Sequence, residues 1–270
     1  MGKTLKALLV GESWFTFSLH QKGFDTFQTA EYHEGGTAFI EALRAQDIDV
    51  TYVRCHEVST HFPRTTKELS GVEVVILSDV GSNTFLLAPE TFALSRSSPN
   101  RLVAIRDYVA AGGSLLMVGG YMSFQGIDGR ARYRNSPLAE VLPVELLETD
   151  DRVEVPEGIH PQVVAQDHFV VTGLSITWPE LLGYNRIQPK AGAQVIAMVG
   201  DDPLLVLGSF GEGRVAAFAS DIAPHWAPPE FMQWKGYGRL WSSLLRWLAK
   251  QDGEASVFEG RSARKIPLPE

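Results

Sequence analysis

The side chains of this sequence best suited to chemistry are Glu12, Asp79, Tyr121, Ser123, Asp221 and His225, and each stands just beyond a short apolar run. After Leu5–Val10 come Gly11-Glu12-Ser13-Trp14. After Val72–Leu77 come Ser78-Asp79-Val80-Gly81. After Ser114–Val118 come Gly119-Gly120-Tyr121-Met122-Ser123, and after Arg214–Ala219 come Ser220-Asp221, then His225-Trp226. If the runs are parallel strands, these residues collect at the carboxyl edge of one sheet, where open α/β folds bind ligands. His225 can then serve as a general base, or simply pack in a proline-flanked turn. Asp221 can orient His225 or cap the turn after it. Ser123 can be a nucleophile or can cap backbone donors. Glu12, buried at a strand end, can act as an acid or base, or pair with a nearby cation. Ser13, Trp14, Asp79, Gly119, Gly120 and Trp226 are the candidate binding residues around them.

The elements that must position these groups follow from periodicity. Leu5–Val10, Asp49–Val53, Val72–Leu77 and Ser114–Val118 read as strands, the third rich in β-branched residues. Helices are predicted from about Gly36 to Gln46 and from an Asn100 cap to Ala111, where Gly112-Gly113 ends the repeat. This alternation predicts an α/β fold with a mainly parallel central sheet and helices on both faces. After residue 150 the pattern changes to short strands, 153–155, 194–199, 204–210 and 214–219. A hairpin signal at Gly211-Glu212-Gly213 suggests a small antiparallel β element in the second half. A helix from about Tyr237 to Lys250 presents Leu240, Trp241, Leu244, Leu245, Trp247 and Leu248 for packing on the sheet. One α/β domain over residues 1–252 and a polar tail over 253–270 are expected.

Two connections are unusually long. Residues 13–34 hold Trp14, Phe15, Phe17, Phe24, Phe27 and Tyr32, and residues 81–99 form the other. The aromatics of the first can be a satellite core, a subunit interface or a ligand wall. Because aromatic residues are enriched at interface cores, a homo-oligomer is expected.

Composition narrows the function classes. With 24 Lys+Arg against 32 Asp+Glu the chain carries a charge of −8, so no basic stripe points to nucleic acid. One cysteine, Cys55, excludes intramolecular disulfides and cysteine-rich zinc sites. His20, His33, Cys55, His56 and His61 can ligate metal, but their spacing matches no metal motif, and no metal or other cofactor is expected. G-x-G-x-x-G, Walker A and H-E-x-x-H patterns are missing. Neither a signal peptide nor a membrane-length apolar stretch is present, so a cytoplasmic protein without membrane partners is expected.

The run LLMVGGYMSFQG, the GESW after the first strand with KGFDTF and YHEGG beyond it, and the late GEGRVAAFASDIAPHW resemble the glutamine-amidotransferase-like family over roughly residues 5–250. These proteins are flavodoxin-like members of the class I glutamine amidotransferase superfamily, so the resemblance implies a flavodoxin-like fold. True class I enzymes carry a cysteine on a G-x-C-x-G elbow and a later His and Glu. Aligning Gly119 with the first elbow glycine puts Tyr121 at the cysteine position and Ser123 at the second glycine. His225 falls at the histidine and Ala227 at the glutamate. A tyrosine hydroxyl with a pKa of about 10 is a poor replacement for a thiolate. The resemblance therefore implies the scaffold without glutamine hydrolysis. Two functions remain open: a small-molecule-binding or assembly protein, and a hydrolase or transferase acting on a small polar metabolite through Ser, His and carboxylate groups.

Overall fold

The architecture was read from a computed structural model, which describes residues 4–252; the expected tail at 253–270 lies outside the described residues. Fourteen strands are present among them: β1 Leu5–Gly11, β2 Ser13–Lys22, β3 Asp25–Glu34, β4 Ile48–Val53, β5 Val74–Ser78, β6 Ser114–Val118, β7 Val144–Leu146, β8 Arg152–Ile159, β9 Gln162–Val163, β10 Leu181–Asn185, β11 Ile187–Pro189, β12 Gln194–Val199, β13 Asp202–Phe210 and β14 Gly213–Phe218. Eight form one sheet in the order β4-β1-β5-β6-β14-β13-β12-β9. The first five are parallel, and β13, β12 and β9 extend the sheet antiparallel.

Counted along the chain, the parallel strands run 2-1-3-4-5, the flavodoxin order. The chain leaves β1 in one direction to form β4, then returns past it to β5 and proceeds outward. Right-handed crossovers in opposite directions put the helix Thr37–Arg44 and the helix Arg101–Ala110 on opposite faces. The gap between the ends of β1 and β5 is the switch point where no connection covers the sheet edge.

Local chemistry explains the helices. Asn100 Oδ1 accepts hydrogen bonds from the backbone of Leu102 (3.0 Å) and Val103 (3.3 Å), which caps the second helix as expected. The helix Tyr237–Leu248 buries Leu240, Trp241, Leu244, Leu245 and Leu248 and packs beside Thr37–Arg44. Trp241 sits edge-on to Phe39 and Phe218. Trp247 departs from expectation. It is half-buried at the rim, with the Arg214 guanidinium 4.8 Å over its ring. The buried apolar residues form one contiguous cluster from Leu5 to Leu248.

Two segments differ from the sequence reading. Residues 13–34 are not a loop but a regular hairpin, with β2 and β3 paired from Ser13↔Glu34 to Lys22↔Asp25. Gly23 at φ +63° takes the first position of a two-residue turn, where a side chain would be strained. The antiparallel content of the second half is also larger than expected. It includes the sheet extension and two small ladders, β8–β10 and β7–β11.

Leu244 is fully buried against the sheet. Leu244→Ala should lower unfolding free energy by about 2–5 kcal/mol in a denaturant titration. A loss below about 0.5 kcal/mol would place that helix face outside the core.

Candidate functional site

Glu12 is the first residue after β1 and Asp79 the first after β5, so they flank the switch point. Asp221 follows β14. Both Glu12 (φ 50°) and Asp79 (φ 45°) adopt left-handed backbone, an unfavourable conformation for residues with a Cβ. The surroundings hold them there. The Glu12 amide donates to the Ser78 carbonyl (2.9 Å), its carbonyl accepts from the Gly35 amide (2.9 Å) and the Tyr52 hydroxyl (2.9 Å), and Ser78 Oγ donates to Glu12 Oε2 at 2.5 Å. The Asp79 amide donates to Ser123 Oγ (3.1 Å), while Asp79 Oδ1 accepts from the Met122 amide (2.6 Å). Asp221 Oδ1 accepts from the amides of Ile222 (2.7 Å) and Ala223 (3.0 Å).

Three carboxyl groups thus meet at the sheet edge. Glu12 and Asp221 are buried, and Asp79 is partly so. Burial pushes the pKa of Glu12 well above the carboxylate range, and the neighbouring Asp221 and Asp79 push it further. Burial and then Asp79 do the same to Asp221. Asp79 is also raised by burial, against the opposing pull of the Met122 amide and His225. Among the described residues no Lys or Arg pairs with any of the three. Desolvation without a cation disfavours the ionised form, so each of the three binds its proton more tightly than a free carboxyl.

Close approach of the backbone makes room for them. A Cβ on Gly35 would come 2.8 Å from Glu12 Oε1 and 2.7 Å from the Ala223 Cβ. A Cβ on Gly120, at φ +137°, would come 2.8 Å from Asp79 Oδ1. Gly119 sits beneath it, its amide donating to the Phe218 and Ser220 carbonyls.

An aromatic cluster forms the outer wall. His225 lies exposed at the rim, its ring stacked 5.2 Å from Trp226 and edge-on to Tyr121 at 4.2 Å. Desolvation by these rings lowers its pKa, outweighing the opposite pull of Glu154 and Asp79, so the imidazole is neutral at pH 7. Neither ring nitrogen has a hydrogen-bond partner among the described residues. Trp226 is fully buried and donates from Nε1 to Glu154 Oε2 (2.9 Å), and the Tyr121 hydroxyl donates to Glu154 Oε1 (2.9 Å). The Arg152 guanidinium covers the Tyr121 ring at 4.8 Å. Burial and the bond to Glu154 raise the Tyr121 pKa, which suits an anchored wall rather than a nucleophile. Trp14 stands to the side, stacked on His33 at 5.5 Å.

The fold therefore brings Glu12, Asp79, Asp221 and His225 into one electrostatic group, with Tyr121 and Trp226 walling it. Ser123 is buried beneath Asp79, with its oxygen occupied by the Asp79 amide. Ser13 Oγ accepts from the Cys55 amide (2.9 Å). Cys55 itself lies nearer the group than its position after β4 suggests. Its thiol contacts the Asp79 carbonyl (3.7 Å), and burial, with Asp79 and Glu12 beside it, raises its pKa to about 11.

Sequence reasoning passed over several supports. Asn185 accepts from the Gly120 amide (3.0 Å) and donates to the Gly120 carbonyl (3.2 Å) and to Asp151 Oδ1 (2.8 Å). Asp151 in turn accepts from the amides of Gln125 (2.8 Å) and Gly126 (3.0 Å), closing the 119–126 turn. The one available signal was Glu154 between Val153 and Val155, an acid on the alternate face of a strand. No group of three or more His, Cys, Asp or Glu side chains among the described residues is arranged to hold a metal ion. A groove of about 350 Å³ lies at the amino end of β6, lined by Tyr108, Ser114 and Leu248, away from Glu12, Asp79, Asp221 and His225.

The raised carboxyls fix a sign for pH dependence. The native state binds protons that the unfolded chain releases, so their stabilising contribution is complete below the ordinary carboxylate pKa and is lost as pH rises through the folded values. Glu12→Gln removes one such group. It should match wild type in unfolding free energy near pH 4, then gain on it by up to about 1.4 kcal/mol per pH unit across the titration window. Parallel pH profiles for the two proteins would show that Glu12 titrates normally.

Comparison with known proteins agrees with this topology. A family described as "Putative glutamine amidotransferase" matches residues 6–250. Two solved structures, the cytoplasmic proteins STM3548 of Salmonella typhimurium and STM1381 of Salmonella typhimurium LT2, are each 46% identical with a TM-score of 0.88, covering 90% of this chain and 99% of their own. A ThuA-like protein from Parabacteroides merdae, 14% identical with a TM-score of 0.57 over 98% of this chain and 94% of its own, shares the fold. No curated protein sequence matches. The family match spans nearly all of the described chain, and the chain belongs to the glutamine-amidotransferase-like family.

Proposed function

We propose that this protein binds a small polar molecule at the carboxyl edge of its sheet and does not hydrolyse glutamine. The observation that carries the reading is the trio Glu12, Asp79 and Asp221: three desolvated carboxyls from three strand ends, two of them on strained backbone, with no Lys or Arg paired to them among the described residues. A stable core gains nothing from such a group, and perturbed titrating groups of this kind mark functional sites. A ligand with donor-rich or cationic groups would satisfy the carboxyls, and exposed His225, with its ring nitrogens unengaged, would receive its acceptor or acidic part. The cytoplasm, named for both Salmonella relatives, is the expected setting.

The absence of glutaminase chemistry rests on the nucleophile. The elbow position holds Tyr121, tied to Glu154, and Ser123 is occupied beneath Asp79. The thiol of Cys55 has its pKa raised rather than lowered, opposite to what a thiolate nucleophile needs. Purified protein should release no ammonia from glutamine above background. Release that disappears in Asp221→Asn or His225→Ala would overturn the reading.

A second reading draws on the contrast between Asp79, whose buried carboxyl binds its proton more tightly than usual, and the neutral His225 that its charge reaches. A carboxylic acid beside an imidazole base is the pairing used in hydrolysis or group transfer. A thermal-shift screen against small polar metabolites separates the two. A ligand at about a hundred times its Kd should add roughly 2.7 kcal/mol of stability, and the shift should vanish in Asp221→Asn. Conversion of that ligand by wild type, lost in His225→Ala, would favour the enzyme. A shift unchanged by Asp221→Asn would move the binding site elsewhere.

A further inference from the structure

The β2–β3 hairpin leaves the sheet edge beside Glu12 and extends as a two-stranded ribbon. At about 3.3 Å per residue, its ten-residue strands span roughly 33 Å. Directly opposed residues share a face. One face carries Phe15, Phe17, Leu19 and Gln21 against Tyr32, Ala30, Gln28 and Thr26; the other carries Trp14, Thr16, Ser18, His20 and Lys22 against His33, Glu31, Thr29, Phe27 and Asp25. The first face is apolar and without charge between its root and its tip, whereas the second holds charged and imidazole groups. Only the root is anchored. Phe15 and Tyr32 pack on His56, Tyr32 donates to Glu34 (2.9 Å), and Glu34 pairs with Arg54 at 2.6 Å. Further out, Phe17 is 77% exposed, Leu19 is 69% exposed, and Phe24 at the turn is fully exposed.

We propose that the apolar face of this arm is a homodimer interface, packed against the same face of a second copy about a two-fold axis. An isolated two-stranded hairpin is marginal in water, and the apolar inner half of this face, Phe15, Phe17 and Leu19 against Tyr32 and Ala30, calls for burial against something. The occupant follows from area and charge. Phe15, Phe17, Leu19 and Tyr32 on this face offer roughly 450 Å² of exposed side chain per copy, more than half of the about 800 Å² per partner of a stable interface. Two copies each carrying −8 repel over most of their surfaces, and this face is one that they can bring together without opposing like charges. A self-complementary patch of this kind is what a two-fold interface requires.

Light scattering coupled to size exclusion tests it on the full chain. Wild type should run at twice 29.7 kDa at micromolar concentration. Phe17→Glu with Leu19→Lys should shift the mass to the monomer while leaving the far-ultraviolet circular dichroism and the core's cooperative melt in place. Thr16→Glu with Ser18→Lys, on the opposite face, should remain dimeric. A monomeric wild type overturns the proposal, and so does a dimer that survives the Phe17 and Leu19 changes or is lost equally through the polar face. If replacing residues 15–32 by a short glycine turn leaves a folded protein of dimer mass, the interface lies elsewhere and the proposal fails.

Discussion

Everything at the sheet edge depends on how Glu12 is buried. Its carboxyl is removed from water between β1 and β5, is matched by one hydroxyl, that of Ser78, and has two further acids as neighbours. Transfer of an ionised carboxylate into such a site without a cation is costly, so burial favours the neutral form of Glu12 and holds its pKa well above the carboxylate range. The surrounding backbone is arranged around that fact. Gly35 and Gly120 give up side chains where a Cβ would strike Glu12 or Asp79, and the amides of Met122, Ile222 and Ala223 supply donors to the other two acids.

The family's flavodoxin-like topology fixes which strand ends meet at the sheet edge. The strand order places the ends of β1, β5, β6 and β14 side by side, and the turn after β6 still rises above the sheet. At its apex, however, stands a tyrosine held by Glu154 and covered by Arg152, and the space beside it is filled by buried Trp226. The electrostatics have moved with it. A thiolate site needs a positive environment, but this one is acidic, and Cys55 beside it is held as a thiol.

The arm and the site share a root. Ser13 begins β2 immediately after Glu12, and Gly35, which follows β3, donates its amide to the Glu12 carbonyl. Whatever orders the arm also orders the backbone that holds the first of the three acids in left-handed geometry.

Much of the architecture was legible in the residues alone. Apolar runs ending in glycine or polar residues marked β1, β5, β6 and β14, and Asn100 announced its helix, because burial on both faces and capping leave local signatures. The residues just past those strands were legible for the same reason. Some features stayed hidden because they depend on contacts distant in sequence. Asp151 and Asn185 close the 119–126 turn from strands that reveal nothing of their partners, and Cys55 reaches Asp79 only because β4 lies beside β1. The hairpin was written locally, as alternation about Gly23, yet its aromatic content reads equally as a loop over a core. Which residues could titrate or pack was set by the sequence. Which of them share a desolvated space, and so change one another's protonation, was decided by the tertiary fold, since desolvation and Coulomb coupling depend on distance through space rather than along the chain.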